Sequence, residues 1–382
     1  MVGDQLARVA LTVLVYDRTR SALLAAITFV VSIVPTFIGG VMLAWLADRY
    51  PRRAVMIACD VIRGLLVLVM AIPGIPLAAM VALLFLVTLV GAPFASARAA
   101  ILPDVLTGDR YVMGTAVAIT TYQFAQVLGF AAGGAMVGFF GAGKSLLVDA
   151  ATFAGSALIV RAWVRSRPAL ADGRRKSARL TDILAGARLV VARAALRTPM
   201  LFGLLAAFYN APEGVAAPLA GALGGDAAVV GVILAANSLG EAVGAVMFSR
   251  FLAPPTRLRL MGPLAIAACA VLILFFWEPD LPASLLLLSA SGLCASYQLA
   301  ANAAFVSAAP HAQRSQAFGL AQGGMSLGQG TVMILAGAAA QPHAPARVIA
   351  VCGAIGALAA LAVVISWSRD GGEPAMERHQ QA

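Results

Sequence analysis

The chain has 382 residues, of which 61% are apolar and only 12% are charged, and its mean hydropathy is +0.90. Soluble domains are about 45–50% apolar and about 25% charged, so this composition excludes an ordinary soluble fold. The formal net charge is +10, but the basic residues are spread over six separate segments without interleaved aromatic residues, which excludes a nucleic-acid surface.

Apolar blocks recur along the whole chain, and each is long enough to cross a hydrocarbon layer about 30 Å thick as an α-helix. Interior Gly and Pro are compatible with such helices, because neighbouring helices satisfy the backbone groups that they free. The blocks predict twelve spans, at residues 2–17, 21–47, 54–72, 77–98, 111–139, 145–163, 198–222, 228–250, 259–277, 282–306, 314–339 and 346–367. The first span is short and starts at Met1, so we expect an N-terminal stretch to be missing.

The basic residues follow the rule that Lys and Arg accumulate in cytoplasmic loops. With the N-terminus inside, the inner loops and the tail hold most of the 27 basic residues, and the outer turns hold only Arg18, Arg20, Lys144 and Arg347. We therefore expect a multi-pass protein with both termini in the cytoplasm. Arg is far more frequent than Lys and Ala is abundant, which is typical of GC-rich bacteria and predicts a bacterial cell membrane.

Residues 138–145 read GFFGAGKS and match the P-loop pattern G-x-x-x-x-G-K-[ST]. A P-loop follows a β-strand and opens a helix, whereas predicted membrane helices lie on both sides of this turn. The turn is also predicted to face outward, where ATP is absent. We interpret its glycines as a sharp turn between two helices and Lys144 as an interfacial residue.

One long polar segment, residues 164–197, separates the first six spans from the last six. Its second part places apolar residues on one face and predicts an amphipathic helix on the membrane surface, with a plain linker as the alternative. The sequence thus predicts an all-α membrane protein of twelve transmembrane helices in two six-helix bundles, the arrangement of many alternating-access transporters. The predicted parts are an N-terminal bundle at 1–163, the linker at 164–197, a C-terminal bundle at 198–367 and a cytoplasmic tail at 368–382.

The loop after the second span, residues 44–53, reads AWLADRYPRR and resembles the cytoplasmic loop motif G-x-L-a-D-R-x-G-R-R of the major facilitator superfamily. Residues 95–106, ASARAAILPDVL, resemble the end of the fourth helix in the branch of bacterial enterobactin exporters and drug:proton antiporters. The hexapeptide GFAAGG at 129–134 is similar to the exporter motif G-P-x-x-G-G, with Phe130 in place of Pro. The resemblance implies the major facilitator fold and an export function.

The charges of the loop motif predict a conformational latch, and the resemblance implies a gating helix. Asp48, near the N-terminal end of an opposing helix, and an Arg52–Asp104 pair would close the cytoplasmic side, with topology alone as the alternative role of these charges. The predicted latch consists of Asp48, Arg49, Arg52, Arg53 and Asp104. The predicted gating helix contains Gly129, Gly133 and Gly134, for which close helix packing is the alternative.

Ionisable groups inside a membrane are costly and by default mark function. Asp4 begins the first span, and Asp60 lies one helical turn from Arg63 in the third span, where the two can neutralise each other on one helix face. We expect Asp149, close to the outer end of the sixth span, to lie at a solvated interface.

Glu213 and Glu241 lie deep in spans seven and eight, with no basic residue nearby in their own span. A carboxyl group in such a setting prefers its neutral form, which suits a proton carrier. The predicted proton-coupling candidates are Glu241, Glu213, Asp60 and Asp4, with Glu241 favoured because it lies nearest mid-span. Structural hydrogen bonding inside the bundle is the alternative.

Neutral polar residues recur near mid-span in helices five, seven, eight and ten. They are candidates to line a central cavity, and hydrogen bonding between helices is the alternative for each. The candidates are Gln123, Gln126, Asn210, Asn237, Gln298 and Asn302. Nearby Tyr and Phe residues favour an amphipathic or aromatic substrate.

The four cysteines are isolated within spans, the three histidines are widely separated, and no hydrolase or metalloprotease motif occurs. We expect no catalytic residue, no metal site and no cofactor. The leading hypothesis is a monomeric, proton-coupled secondary transporter that exports small amphipathic molecules, so its partners are the substrate, protons and the lipid bilayer. An importer or lipid flippase of the same fold is the alternative, and an intramembrane enzyme or a transport-inactive receptor is a hypothesis of a different class.

Overall fold

The computed structural model describes residues 2–43, 46, 49–105, 109–165, 190, 192–309 and 314–369. The regular structure of these residues is helical throughout. Within the described ranges sixteen α-helices and one 3-10 helix follow one another: α1 Val2–Thr19, α2 Ala22–Val31, α3 Val34–Met42, α4 Arg52–Met70, α5 Leu77–Val105, α6 Asp109–Trp163, α7 Ala194–Leu204, α8 Ala206–Tyr209, α9 Ala211–Gly214, α10 Ala216–Ala222, α11 Ala227–Phe251, α12 Pro254–Ala270, η1 Val271–Trp277, α13 Leu281–Cys294, α14 Tyr297–Ala308, α15 Arg314–Ala339 and α16 Pro345–Arg369.

These helices follow the twelve predicted spans in order. Seven segments of the described chain are long and apolar enough, by length and composition alone, to cross a membrane. Several spans are interrupted by short irregular steps: α2 and α3 form the second span, α7 to α10 the seventh, α12 and η1 the ninth, and α13 and α14 the tenth. Hydropathy therefore locates the crossings but does not reveal where a crossing helix is broken.

Local sequence explains several of these helix ends. Ser21 caps α2 by accepting a hydrogen bond from the Leu24 backbone N–H at 3.2 Å, and Asp280 caps α13 by accepting one from Ala283 at 3.1 Å. Pro212 and Pro218 lack the backbone N–H that a continuous helix requires. The seventh span is divided into four short helices, and the breaks at Asn210 and Val215 lie just before these two prolines.

The P-loop-like octapeptide lies in a break within α6. Gly141 has a φ of 78°, a left-handed conformation that glycine adopts without strain, and it separates the fifth span from the sixth. The Ser145 hydroxyl, which in a P-loop would bind Mg²⁺, donates to the Gly141 carbonyl at 2.9 Å. Lys144 is exposed. The octapeptide is thus a helix–helix turn with helix on both sides, as the sequence indicated.

The chain divides into two compact units. Unit 1 comprises Met1–Ala178 and Gly224–Ala235, and unit 2 comprises Arg179–Leu223 and Ala236–Ala382. In unit 1, α6 packs along α1 and α4, and α4 also packs on α5. In unit 2, α16 packs on α12 and η1, and α14 packs on α7.

Two features of the predicted domain organisation remain predictions. The amphipathic helix predicted for the second part of the linker lies almost wholly outside the described residues. The bundle boundaries at residues 163 and 198 remain a prediction.

Candidate functional site

Unit 1 contains a cavity of about 460 Å³ with a charged wall, called here the charged cavity. It is bounded by residues of α1, α3, α4, α5 and α6. Its polar lining consists of Asp4, Gln5, Arg8, Ser32, Thr36, Asp60, Arg63, Thr88, Arg98, Tyr122, Thr152 and Ser156. Two of the four predicted proton-coupling residues, Asp4 and Asp60, therefore meet in one site.

An ion pair between Arg63 of α4 and Asp4 of α1 lies in this wall. The Arg63 side chain is only 8% exposed and that of Asp4 is 31% exposed. Arg63 also donates from Nε to the Val87 carbonyl at 3.1 Å, and its guanidinium lies 4.4 Å from the centre of the Phe153 ring. The Asp4 carboxylate, the Val87 carbonyl and the Phe153 ring together hold this guanidinium inside unit 1.

The pairing differs from the sequence-based expectation for Asp60 and Arg63. Arg63 binds Asp4 on another helix, while Asp60 Oδ2 accepts a hydrogen bond from the Ser156 hydroxyl of α6 at 2.6 Å. The i, i+3 spacing brings two side chains to one face but does not outweigh partners on adjacent helices. The Arg63–Asp4 ion pair therefore connects α4 to α1, whereas an Arg63–Asp60 pair would have lain within α4 alone.

Asp149 is fully buried, and the prediction that it lies at a solvated interface is wrong. The reason is packing: Gly3 of α1 lacks a side chain, so the α1 backbone lies directly against the Asp149 carboxylate and the Thr152 hydroxyl. Thr152 donates to the Asp149 carbonyl at 2.8 Å and to its Oδ1 at 3.2 Å. No described residue provides a hydrogen-bond partner for Asp149 Oδ2.

Arg8 and Arg98 also line the charged cavity, although the sequence analysis did not select them. Arg8 donates to the Ser32 carbonyl at 3.2 Å and lies 5.3 Å from the Phe29 ring centre. With Asp149 beside the wall, the described residues bring together three carboxyl and three guanidinium groups, whose formal charges cancel when all are ionised. The spacing of Asp4 and Arg8, one helical turn apart in an apolar span, is the sequence signal that could have identified Arg8.

The predicted latch is only partly visible. Asp48 lies outside the described residues, and so does the side chain of Asp104. Arg52 donates to the Ala100 carbonyl at 2.8 Å, near the end of α5, and Arg53 donates to the Arg161 carbonyl near the end of α6. The two arginines thus join α4 to the ends of its neighbours, and the latch function, Arg49 included, remains a prediction.

The predicted gating glycines lie at close helix approaches within unit 1. A Cβ atom on Gly134 would lie 2.5 Å from the Gly231 Cα atom of α11, and a Cβ on Gly133 would lie 3.0 Å from the Leu6 Cα atom of α1. Gly129 is buried. These positions leave no room for larger residues, as close packing requires, and the gating role remains a prediction.

Unit 2 contains a second cavity, of about 360 Å³, called here the amide cavity. It lies among α7, α14 and α15. Its lining consists of Pro199, Met200, Gly203, Gln298, Leu299, Ala301, Asn302, Phe305, Ala321, Gln322 and Met325. These lining residues are all uncharged, and three of them carry side-chain amides. Gln322 was not identified from the sequence, because its small, Gly-rich surroundings in α15 give no distinctive pattern.

Gln298 has the most defined geometry in the amide cavity. Its Nε2 lies 3.2 Å from the Gly203 carbonyl and 3.4 Å from the Phe202 carbonyl of α7. The Tyr209 and Tyr297 hydroxyls lie 3.2 and 3.3 Å from the same nitrogen. Phe202 and Tyr209 each form an edge-to-face ring contact with Tyr297, so an aromatic cluster fixes the surroundings of this amide.

The other predicted cavity residues have different positions. Asn237 of α11 donates to the Asn210 side-chain oxygen at 3.1 Å, and both residues are buried; this contact is the interhelical hydrogen bond named as the alternative. Gln123 and Gln126 lie half-buried on α6 and line neither of these two cavities. Gln298 and Asn302 are the two that share a cavity.

Glu213 and Glu241 both lie in unit 2, outside the amide cavity. Glu213 is in the short helix α9, directly after Pro212, and Glu241 is in the middle of α11. Both are half-buried, and their carboxyl groups lie close enough to interact electrostatically. A Cβ atom on Gly292 would lie 3.0 Å from the Glu241 backbone nitrogen, so this part of α11 packs closely on α13.

Comparison with known proteins identifies the family. The sequence pattern of the Major Facilitator Superfamily matches residues 1–214 and 212–381. Among curated proteins, none matches the chain. Similar solved structures include the nucleoside transporter NupG, 16% identical, with a TM-score of 0.69 and coverage of 96% of each chain.

Two further structures have the same fold. A POT family transporter in complex with a thioalcohol-conjugated peptide is 11% identical, with a TM-score of 0.75, covering 97% of this chain and 94% of its own. An inward-facing, unoccupied bacterial homolog of the human lysosomal transporter Spinster is 15% identical, with a TM-score of 0.65, covering 97% and 93%. The predicted fold class is confirmed, and the chain belongs to the Major Facilitator Superfamily as a multi-pass membrane transporter.

Proposed function

We propose that this transporter is a monomeric, proton-coupled exporter of small amphipathic molecules, such as drugs or siderophores, in a bacterial cell membrane. The observation that carries the proposal is the charged cavity, where the Asp4–Arg63 ion pair lies beside Asp60 and the fully buried Asp149. Charged side chains in a membrane interior are costly, and they typically mark ion or proton pathways.

The arrangement links protonation to helix contacts. When Asp4 takes up a proton, its charge attraction to Arg63 is lost, and the connection between α1 and α4 weakens. The cavity then carries an excess positive charge, because the formal charges cancel only when all six groups are ionised. A proton that enters from one side of the membrane and leaves to the other would therefore bias the populations of two states of the transporter.

Export and substrate class rest on sequence resemblance and side-chain chemistry. The GFAAGG segment is similar to an exporter motif, and its Gly134 lies at a close helix crossing. The solved structures of the same fold are of nucleoside, POT family and Spinster-type transporters, so the fold by itself does not select a substrate. The aromatic and amide residues of unit 2 favour an amphipathic molecule.

Glu241 is the second candidate for the coupling carboxylate. It lies mid-helix near Glu213, beside the broken seventh span, and interrupted helices are recurrent ion and substrate sites in transporters. In unit 1, by contrast, the Asp4–Arg63 ion pair provides a contact between two helices that protonation would change. We therefore place Asp4 first and Glu241 second, the reverse of the order that the sequence favoured.

The test is accumulation of a panel of fluorescent dyes and siderophores in cells with and without the protein, each with and without an uncoupler. Expression should lower accumulation of at least one compound, and the uncoupler should abolish the difference. Higher accumulation on expression would make the protein an importer. A difference that survives the uncoupler would contradict proton coupling.

A further inference from the structure

We infer that the amide cavity of unit 2 binds an uncharged, hydrogen-bond-donating part of the transported molecule, with Gln298 Oε1 as the acceptor that anchors it. The inference deepens the proposed function and rests on it, because it assigns the substrate class within an exporter of amphipathic molecules. Two observations support the inference: the lining of the cavity is uncharged, and neighbouring main-chain oxygens fix the orientation of the Gln298 amide.

The orientation of the Gln298 amide follows from its neighbours. The main-chain oxygens of Phe202 and Gly203 can only accept hydrogen bonds, so the amide nitrogen, not the oxygen, must face them. The usual ambiguity between the two ends of a glutamine amide is thereby removed. No described residue donates to Oε1, so this oxygen remains a free acceptor on a side chain that lines the cavity.

The rest of the lining defines what can bind there. Asn302 and Gln322 are exposed at the cavity and have no hydrogen bond to any described residue, so both amides are available to a ligand. Met200, Met325 and Phe305 supply polarizable and aromatic surface beside them. An ionic ligand would lose hydration without gaining an opposite charge, whereas a neutral ligand with a flat apolar body pays no such cost.

The size of the cavity agrees with this class of ligand. A volume of about 360 Å³ is at the lower end of the range for drug-sized molecules, about 300–1,000 Å³. A bicyclic aromatic compound with one hydroxyl group combines the required donor, flat body and neutral charge. We therefore choose 2-naphthol as the probe, 2-methoxynaphthalene as its matched analogue without a donor, and 2-naphthoate as the anionic analogue.

Binding is measured by fluorescence titration of the purified protein in detergent, without any ion gradient. The wild-type protein should prefer 2-naphthol over 2-methoxynaphthalene by about 3- to 10-fold, the value of one net hydrogen bond, and should bind 2-naphthoate most weakly. Gln298→Leu should reduce the preference to about 1. Gln341→Leu, the same change at an exposed site at the end of α15, should keep the wild-type preference.

Gln298 also supports the α7 main chain, so a second variant tests the cavity independently. Gln322→Trp replaces an exposed lining residue and fills the space, and we expect it to weaken binding of both neutral probes at least about 10-fold. Leu335→Trp, on the exposed face of the same helix, should bind both as the wild type does. An unchanged donor preference in folded Gln298→Leu, unweakened binding in Gln322→Trp, or strongest binding of 2-naphthoate would overturn the inference.

The outcome separates this inference from the proposed function. If the binding pattern is contradicted while uncoupler-sensitive export persists, only the assignment of the amide cavity is wrong. If the binding pattern is found but export does not respond to the uncoupler, only proton coupling is wrong.

Discussion

The two units of this transporter contain cavities of similar size and contrasting chemistry. The charged cavity of unit 1, about 460 Å³, holds an ion pair and further carboxyl and guanidinium groups, whereas the lining of the amide cavity of unit 2, about 360 Å³, is uncharged. This contrast agrees with the roles proposed above, proton exchange in unit 1 and binding of a neutral group in unit 2. Proton exchange requires ionisable groups that hold one another in place, and recognition of a neutral molecule requires oriented amides without competing charge.

The largest expected effect is the loss of coupling in Asp4→Asn. The amide mimics a permanently protonated carboxyl group, so accumulation of an exported dye against its gradient in vesicles with an imposed pH difference should fall to background. Downhill exchange of the dye should continue. Asp17→Asn, the same change in the same helix but at an exposed residue, should transport as the wild type does.

Glu241→Gln distinguishes the two units directly. If unit 1 carries the proton, this variant should retain uphill, uncoupler-sensitive transport. Loss of uphill transport in Glu241→Gln together with wild-type behaviour of Asp4→Asn would assign coupling to unit 2 and reverse the division of roles.

Arg63→Leu should be the most destabilising of these changes. It leaves the Asp4 carboxylate without its guanidinium, and breaking a largely buried ion pair costs about 3–5 kcal/mol. Thermal unfolding in detergent measures the effect. The exposed Asp17–Arg20 pair provides the control, since Arg20→Leu should cost less than about 1 kcal/mol. Adding Asp4→Asn to Arg63→Leu should restore part of the lost stability; a strictly additive double variant would contradict the importance of the pair.

Gly134→Ala tests whether a close helix approach in unit 1 is required. The added methyl group would overlap Gly231, so the helices must move apart, at a cost of about 1–3 kcal/mol. A Cβ atom on Gly155, in the same helix, would have nothing within 4 Å. Gly155→Ala should therefore be neutral or slightly stabilising in the same unfolding experiment, and equal effects of the two substitutions would contradict this reading of the crossing.

The smallest effect is expected at the predicted latch. Arg52→Ala removes a hydrogen bond to the Ala100 carbonyl and should cost about 0.5–1.5 kcal/mol. If the loop motif controls which state is populated, Asp48→Asn should also make cysteines on the cytoplasmic side of the protein more accessible to a thiol reagent. If Asp48→Asn shows unchanged labelling and full transport, the charges of the loop motif serve only to orient the chain in the membrane.

The sequence was sufficient for the fold, because the length and spacing of apolar segments determine how often a chain crosses the membrane. It was less informative about the sites. Distance along a helix does not tell which neighbour a residue faces, so Asp149 was expected at an interface, although Gly3 allows α1 to cover it. From its spacing within the helix, Arg63 was expected to pair with Asp60, but its partner is Asp4, 59 residues away in the chain. Gln322 could be recognised as a cavity residue only from the packing of α7, α14 and α15, which places it in one lining with Gln298 and Asn302.

The long separation between Asp4 and Arg63 has a consequence for how the protein is made. At a synthesis rate of about 5–20 residues per second, Arg63 follows Asp4 out of the ribosome after roughly 3–12 s. A charged residue opposes insertion of its helix by about 2.5–3.5 kcal/mol at the membrane centre and by less near a helix end, where Asp4 lies. We therefore expect α1 to be held less firmly in the bilayer until α4 has been synthesised. A ribosome paused before residue 63 is then expected to leave α1 more easily extracted from the membrane than in the finished protein.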